Sequence, residues 1–202
     1  QMMVELGSLP VMNILSSATC IIAEGEVLQL TNVKNPDLTE AQYMDVIHGK
    51  TAMLFEASTH SAAALLNCPA AQAKALQEYG KELGMAFQLV DDLLDYEGDA
   101  VAMGKNVGDD LAEGKVTLPL IHAMANATED ESRLIRQAIR KGGLDDMQSV
   151  FAIIQKTKSL DYTRQKAYEC ADRAQQHLEL LADSEAKQAL NALAMIAVQR
   201  NT

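Results

Sequence analysis

Between Phe87 and Asp95 the chain reads Phe-Gln-Leu-Val-Asp-Asp-Leu-Leu-Asp. Wound as a helix, Gln88, Asp91, Asp92 and Asp95 stand at i, i+3, i+4 and i+7, so one amide and three carboxylates share a face. Leu89, Val90, Leu93 and Leu94 take the rest of the circumference and are apolar enough to bury the helix. Three carboxylates on one face of a buried helix repel one another and need cations. Hard divalent ions, Mg²⁺ above all, are held by a few carboxylates together with phosphate oxygens and water. An acidic face turned to solvent on an ordinary amphipathic helix has the same spacing. The surrounding residues must decide between the two.

Those surroundings are cationic. Gly104-Lys105-Asn106-Val107-Gly108-Asp109-Asp110-Leu111 leads into Glu113-Gly114-Lys115-Val116-Thr117-Leu118-Pro119. Two lysines, each directly after a glycine, lie in a segment that follows the carboxylate helix and can fold back over it. Lysine is a point-charge partner for phosphate, and an adjacent glycine lets the backbone come close. A third cation, Lys50, sits in the apolar run Val46-Ile47-His48-Gly49-Lys50-Thr51-Ala52-Met53-Leu54-Phe55. It must either snorkel to the surface or meet an anion. Taken together, carboxylates to hold metal, metal to hold phosphate, and lysines for the remaining charge describe a diphosphate site among buried helices.

Helices must position these groups. After Pro10, apolar residues from Val11 follow helical spacing as far as Thr31. Thr39 and Gln42 form a capping-box start for a helix expected to run to Leu66. Asn67-Cys68-Pro69 breaks it, and Pro69 opens the carboxylate helix, which ends near Tyr96. From Glu97 to Lys115 four glycines stand among charges, which predicts a long functional or disordered loop. Helices are expected over 118–127, 129–141, 145–158, 161–182 and 184–199, with Asp161 and Ser184 as N-caps of the last two. No segment alternates as a strand does. The fold class is all-α, a single helical domain over 1–202 built of long antiparallel helices.

Composition agrees and excludes several functions. The 202 residues contain 48% hydrophobic side chains, no Trp, only 4 Pro and 10 Met. Seventeen basic against 28 acidic residues give a net charge of −11, a poor electrostatic match for nucleic acid or anionic lipid. Cys20, Cys68 and Cys170 form no CxxC and no disulfide framework, so a reducing, cytoplasmic setting is expected. No run of 18 uninterrupted apolar residues occurs, so no transmembrane helix is expected. Glu56 and His60, at i and i+4, more often make a surface hydrogen bond than a metal site. His48, His122 and His177 have no partner motif, and the absence of Glu-x-x-His argues against a di-iron bundle. The apolar helix over 11–31 suits a helix-to-helix homodimer contact.

The segments Gly49 to Phe55 (Gly-Lys-Thr-Ala followed by Phe55), Phe87 to Asp95 and Gly104 to Pro119, in this order and spacing, resemble the trans-isoprenyl diphosphate synthases. The stretch Glu24-Gly25-Glu26-Val27-Leu28-Gln29 and the end Ala197-Val198-Gln199-Arg200 are similar to the long-chain bacterial branch of that family. The resemblance implies a helical bundle around a diphosphate and prenyl-chain cavity. It also implies a Mg²⁺-dependent transfer in which an allylic diphosphate ionises and isopentenyl diphosphate captures the cation. The product would be a long-chain trans-polyprenyl diphosphate of the kind used as a quinone (ubiquinone) side chain. Asp91, Asp92 and Asp95 would then be the second aspartate-rich metal motif, with Asp91 the firmest ligand and Asp95 acting more by shaping the site. Lys50 and Lys105 would hold the allylic diphosphate. Thr51, through its carbonyl, and Gln88 would stabilise the allylic cation. Asp109 would orient metal-bound water, and Lys115 would be a peripheral phosphate contact.

One family feature is not found. The first aspartate-rich motif, with its following arginines, has no counterpart here, and Asp145-Asp146 lies downstream in the wrong order. The chain looks like the C-terminal two-thirds of such an enzyme, with the N-terminal helices missing, and by itself is expected to be inactive. A non-catalytic helical partner subunit is the alternative from another class. The retained Lys50, Gln88, Asp91, Asp92, Asp95 and Lys105 favour the enzyme.

Overall fold

A computed structural model describes residues 2–97, 108–142 and 145–200. Every regular element among them is helical: α1 (Met2–Leu6), α2 (Leu9–Thr31), α3 (Glu40–Ile47), α4 (Met53–Leu65), α5 (Ala70–Glu97), α6 (Asp109–Ala112), α7 (Leu118–Asn126), α8 (Glu129–Lys141), α9 (Met147–Lys156), α10 (Ser159–His177) and α11 (Glu185–Gln199). A five-residue π turn, His48–Ala52, joins α3 to α4, and a short 3₁₀ turn, Leu178–Leu180, follows α10.

Local sequence accounts for most of the boundaries. Ser8 caps α2, with Pro10 in its first turn, where the missing N–H costs nothing. The Thr39–Gln42 capping box forms as expected, the Gln42 amide bonding Thr39 Oγ1 at 3.3 Å and the Thr39 amide bonding Gln42 Oε1 at 3.0 Å. Each such cap stabilises its helix by about 1 kcal/mol. Asn67 takes the left-handed conformation (φ 50) that stops α4. Ser184 caps α11, accepting from the Lys187 amide at 3.1 Å.

Several expectations change. α6 falls inside the stretch expected to be a loop over 97–115, of which 98–107 lie outside the described residues. The helix expected to run to Ala182 ends at His177, before the 3₁₀ turn. The helix expected from Thr39 to Leu66 is interrupted by the π turn. The helix expected to open at Asp161 opens at Ser159 instead, after Lys158 in a left-handed conformation (φ 54). Ser159 is fully buried, its hydroxyl 2.9 Å from His122 Nδ1, and this tertiary contact outweighs the local capping preference of Asp161.

The 28-residue α5 is the central strut, packed most extensively on α10 and α4. Gly84 lets it approach the π turn: a Cβ there would lie 2.5 Å from Ala52 Cα. The main core runs between α5 and the C-terminal helices, through fully buried Leu89, Leu118, Ile135, Ile139 and Ile154. Side chains this large each stabilise the fold by about 1.5–3 kcal/mol on burial. Toward its N-terminal end α5 meets α10 and α11 around Tyr79, Ala174, Leu178 and Ala194.

α2 stands apart in character. Only Val11, Ala18 and Gly25 are buried along it, one residue every two turns, while Ile21, Val27, Leu28 and Leu30 are exposed. By length and composition it is apolar enough to cross a membrane, with a mean hydropathy of 1.4 in its most apolar window. Length and average hydropathy alone single it out, since Asn13, Ser16 and Ser17 interrupt its apolar run. Its buried stripe packs on α4 and the π turn.

Candidate diphosphate and metal site

The C-terminal end of α2, the α3–π-turn junction and the second half of α5 enclose a cavity of about 210 Å³. Its chemistry comes from Lys50, Thr51, Gln88, Asp91, Asp92 and Lys115. Asp110 and Gln29 also face it. Residues predicted from two distant motifs therefore share one space.

The π turn presents two of them. Adding a residue to a helical turn shifts the register, and such turns occur often at functional sites. Here the extra turn carries Lys50 and Thr51 in succession. Thr51 Oγ1 donates to Gln88 Oε1 at 2.8 Å. The Gln88 amide then donates to Asp92 Oδ1 at 2.7 Å and, more weakly, to Asp91 Oδ2 at 3.3 Å. Lys50 does not reach the aspartates; its ammonium donates to Gln29 Oε1 at 2.6 Å and lies 3.6 Å from Glu26, both on α2. The Lys50 side chain keeps 28% of its exposure, so it borders the cavity rather than being sealed away.

The three aspartates of the motif have different surroundings. Asp91 is exposed and open to the cavity. Asp92 is buried, with the Tyr43 hydroxyl donating to Oδ2 at 2.6 Å opposite the Gln88 contact. Burial, and next the charge of Asp110, push its pKa up to about 7 against the hydrogen bonds from Tyr43 and Gln88. Asp95 does not line the cavity: its Oδ2 accepts from the Asp110 amide at 3.3 Å and its carbonyl accepts from the Gly108 amide at 2.9 Å, tying α6 to α5. Burial and Asp110 raise its pKa to about 7 as well.

Asp109 begins α6 and also stays off the cavity wall, whereas Asp110 faces inward. Lys115 bonds Asp110 at 3.0 Å and Glu113 at 2.8 Å. Burial works against its charge, but Glu113 and Asp110 outweigh that and raise its pKa above that of ordinary lysine. Lys105 lies outside the described residues.

Sequence reading missed four contributors. Tyr43 stands seven residues, about two turns, before Lys50, and that spacing is the only sequence signal for it. Asp110, and not its neighbour Asp109, faces the cavity. Gln29 holds the Lys50 ammonium. Arg200 follows α11, its guanidinium 3.9 Å above the Phe87 ring, bonded to the Phe87 carbonyl at 2.9 Å and 3.8 Å from Asp91, with Nε buried and unpartnered. Glu56 does not join His60. It bonds His48 Nε2 at 2.8 Å and Gln77 Nε2 at 2.6 Å, which gives His48 a partner across the π turn.

Among the described residues no three carboxylate, thiol or imidazole groups converge into a metal cage. Mg²⁺ is bound through one or two carboxylates plus phosphate oxygens and water rather than by a dedicated protein cage. Asp91, open to the cavity, is the carboxylate such an ion would meet, while burial and the charge of Asp110 raise the pKa of Asp92 behind it to about 7.

A helical shell around an acidic wall, with lysines beside it, places the chain in a defined class. It belongs to the polyprenyl synthetase family, whose pattern matches residues 1–156. Within that family it is similar to octaprenyl diphosphate synthase from Escherichia coli (strain K12), 52% identical over all 202 residues, which cover 62% of that protein. It is 45% identical to the all-trans-nonaprenyl-diphosphate synthase (geranyl-diphosphate specific) of Rhodobacter capsulatus, over 98% of this chain and 61% of that one. Among solved structures, a polyprenyl synthase from Caulobacter crescentus CB15 complexed with calcium and isoprenyl diphosphate superposes with a TM-score of 0.93 at 40% identity, over 99% of this chain and 62% of that one. A decaprenyl diphosphate synthase from Rhodobacter capsulatus gives 0.92 at 43%, with the same coverage. The chain thus spans about 62% of the length of these relatives.

Proposed function

We propose that this chain carries the diphosphate-departure side of a trans-polyprenyl diphosphate synthase that extends an allylic diphosphate with isopentenyl diphosphate into a long-chain product. One observation supports the reading most: Asp91, Lys50 and the Thr51–Gln88 pair face a single cavity although they come from separate helices. Breaking the allylic C–O bond leaves positive charge on carbon and negative charge on the departing diphosphate. Preorganised groups aimed at each charge lower that barrier. Lys50, with Lys105 and Lys115, would grip the diphosphate. Thr51 and Gln88 would turn oxygen dipoles toward the allylic carbon, and Arg200, beside Asp91, adds a cation at the cavity edge. Mg²⁺, when bound at Asp91 beside Asp92, would supply charge neutralisation of the leaving group, with Asp95 and Asp109 standing off the cavity wall. The exposed apolar side of α2 suits a second copy of the chain, in keeping with a homodimer.

The test is calorimetric titration of the 202-residue chain with farnesyl diphosphate and, separately, farnesol, with Mg²⁺ or with EDTA. The proposal expects binding of the diphosphate in Mg²⁺ and at least a tenfold loss, about 1.4 kcal/mol, in EDTA. Equal affinity for farnesol and farnesyl diphosphate would overturn it, because the site would then be reading the hydrocarbon and not the leaving group.

A further inference from the structure

Tyr43 is 2% exposed and its ring belongs to the main core, yet its hydroxyl leaves that core to meet Asp92 across 49 residues of sequence. We propose that Tyr43 is a positioning residue of the site: it holds Asp92 so that Asp92 sets which end of the Gln88 amide faces Thr51. The inference rests on the diphosphate-site reading above for its consequence, but not for its geometry.

The two oxygens of Asp92 have separate donors. Oδ2 accepts from Tyr43 at 2.6 Å and Oδ1 from Gln88 Nε2 at 2.7 Å, and the residue as a whole is 4% exposed. Asp91, by contrast, is exposed, and among the described residues it meets Gln88 at 3.3 Å and Arg200 at 3.8 Å. The neighbouring carboxylates therefore differ in task. Asp91 is available to a cation in the cavity, whereas Asp92 is engaged inside the protein.

An amide has a donor end and an acceptor end of nearly the same shape, so packing alone does not choose between its two orientations. At Gln88 the choice is electrostatic. A carboxylate oxygen on one side demands the NH₂ group, and this leaves Oε1 toward Thr51, whose hydroxyl donates to it at 2.8 Å. Flipping the amide would set its oxygen against Asp92 Oδ1 in a partly buried site, an expensive arrangement. Asp92 can impose this only if its own carboxyl plane is fixed. Tyr43 fixes it from the far side, and α3 carries Tyr43 into place about two turns ahead of Lys50. Without the Tyr43 hydroxyl, Asp92 keeps one donor among the described residues, and its carboxyl plane rotates together with the Gln88 amide.

Tyr43→Phe keeps the ring in the core and removes only the hydroxyl, which separates positioning from packing. In ¹⁵N-labelled protein the Gln88 NH₂ resonance pair is identified by its loss in Gln88→Glu. Tyr43→Phe is expected to shift or double that pair, although the Tyr43 hydroxyl bonds Asp92 and not Gln88. Asp92→Asn is expected to do the same, and Tyr43→Phe added to Asp92→Asn is expected to change nothing more. The affinity for inorganic pyrophosphate with Mg²⁺ should fall about tenfold in Tyr43→Phe, the loss of one hydrogen bond to a carboxylate. A Gln88 pair unmoved by Tyr43→Phe overturns the inference. If Tyr43→Phe does not fold, the Gln88 pair in Asp92→Asn decides in its place, and an unmoved pair there overturns the inference equally. A wild-type chain that binds no pyrophosphate overturns the diphosphate reading instead, and the Gln88 resonances still decide whether Tyr43 positions the amide.

Discussion

A Cβ placed on Gly25 would lie 2.5 Å from the backbone nitrogen of Lys50. The α2 backbone thus touches the π turn where the turn presents its cation, and the same stretch of α2 supplies Gln29 and Glu26 to that ammonium. Gly25→Ala has to separate the two backbones. It should destabilise the chain by about 1–3 kcal/mol, the usual penalty for overpacking, and should weaken pyrophosphate binding along with it. Urea unfolding midpoints measure the first effect. A variant as stable as the wild type would mean that the contact is slack.

The lysines of the cavity are not equivalent. Lys50 has a neutral amide as its nearest partner, while Lys115 is already engaged by Asp110 and Glu113. A diphosphate meets more uncompensated charge at Lys50. Lys50→Met should lower Mg²⁺–pyrophosphate affinity about tenfold to a hundredfold, as expected for charge-assisted hydrogen bonds, and Lys115→Met should lower it by clearly less. Parallel titrations of the two variants check the order. A larger effect at Lys115 would place the anion at the opposite end of the cavity.

A buried acid braces the same turn from below. Burial favours protonation of Glu56, but hydrogen bonds from His48 and Gln77 outweigh it and hold its pKa below the ordinary value. A carboxylate with a depressed folded-state pKa contributes stability that is present above its unfolded value. That contribution is lost as pH falls through the folded value. Glu56→Gln should therefore be less stable than wild type at pH 7, and the gap should close as pH falls below about 4. Unfolding midpoints of both proteins between pH 3 and pH 7 test this. A gap independent of pH would mean that shape, and not charge, matters at position 56.

Much of this arrangement was legible in the residues themselves. The i, i+3, i+4, i+7 spacing placed Gln88, Asp91 and Asp92 on one wall, and the cap residues Thr39 and Ser184 marked real helix starts. The π turn was not legible, because it depends on a shift in backbone hydrogen-bond partners that no residue type demands. Tyr43 reads as an ordinary core residue, since its ring is one; only its partner, 49 residues away, reveals the hydroxyl's task. Asp95 carried the right spacing, but α6 folds back to claim its carboxylate, an event outside any pattern within α5. Asp109 and Asp110 are adjacent in sequence, and which of them faces the cavity is fixed by the turn that begins at Gly108, at φ 88.

The central claim is that a divalent ion joins Asp91 to a bound diphosphate. Calorimetric titration of inorganic pyrophosphate into wild type and Asp91→Ala, each with and without Mg²⁺, tests it most directly. The account predicts that Mg²⁺ strengthens pyrophosphate binding to wild type and that Asp91→Ala erases this gain, leaving weak binding through the lysines alone. Undiminished Mg²⁺-dependent binding in Asp91→Ala would contradict it.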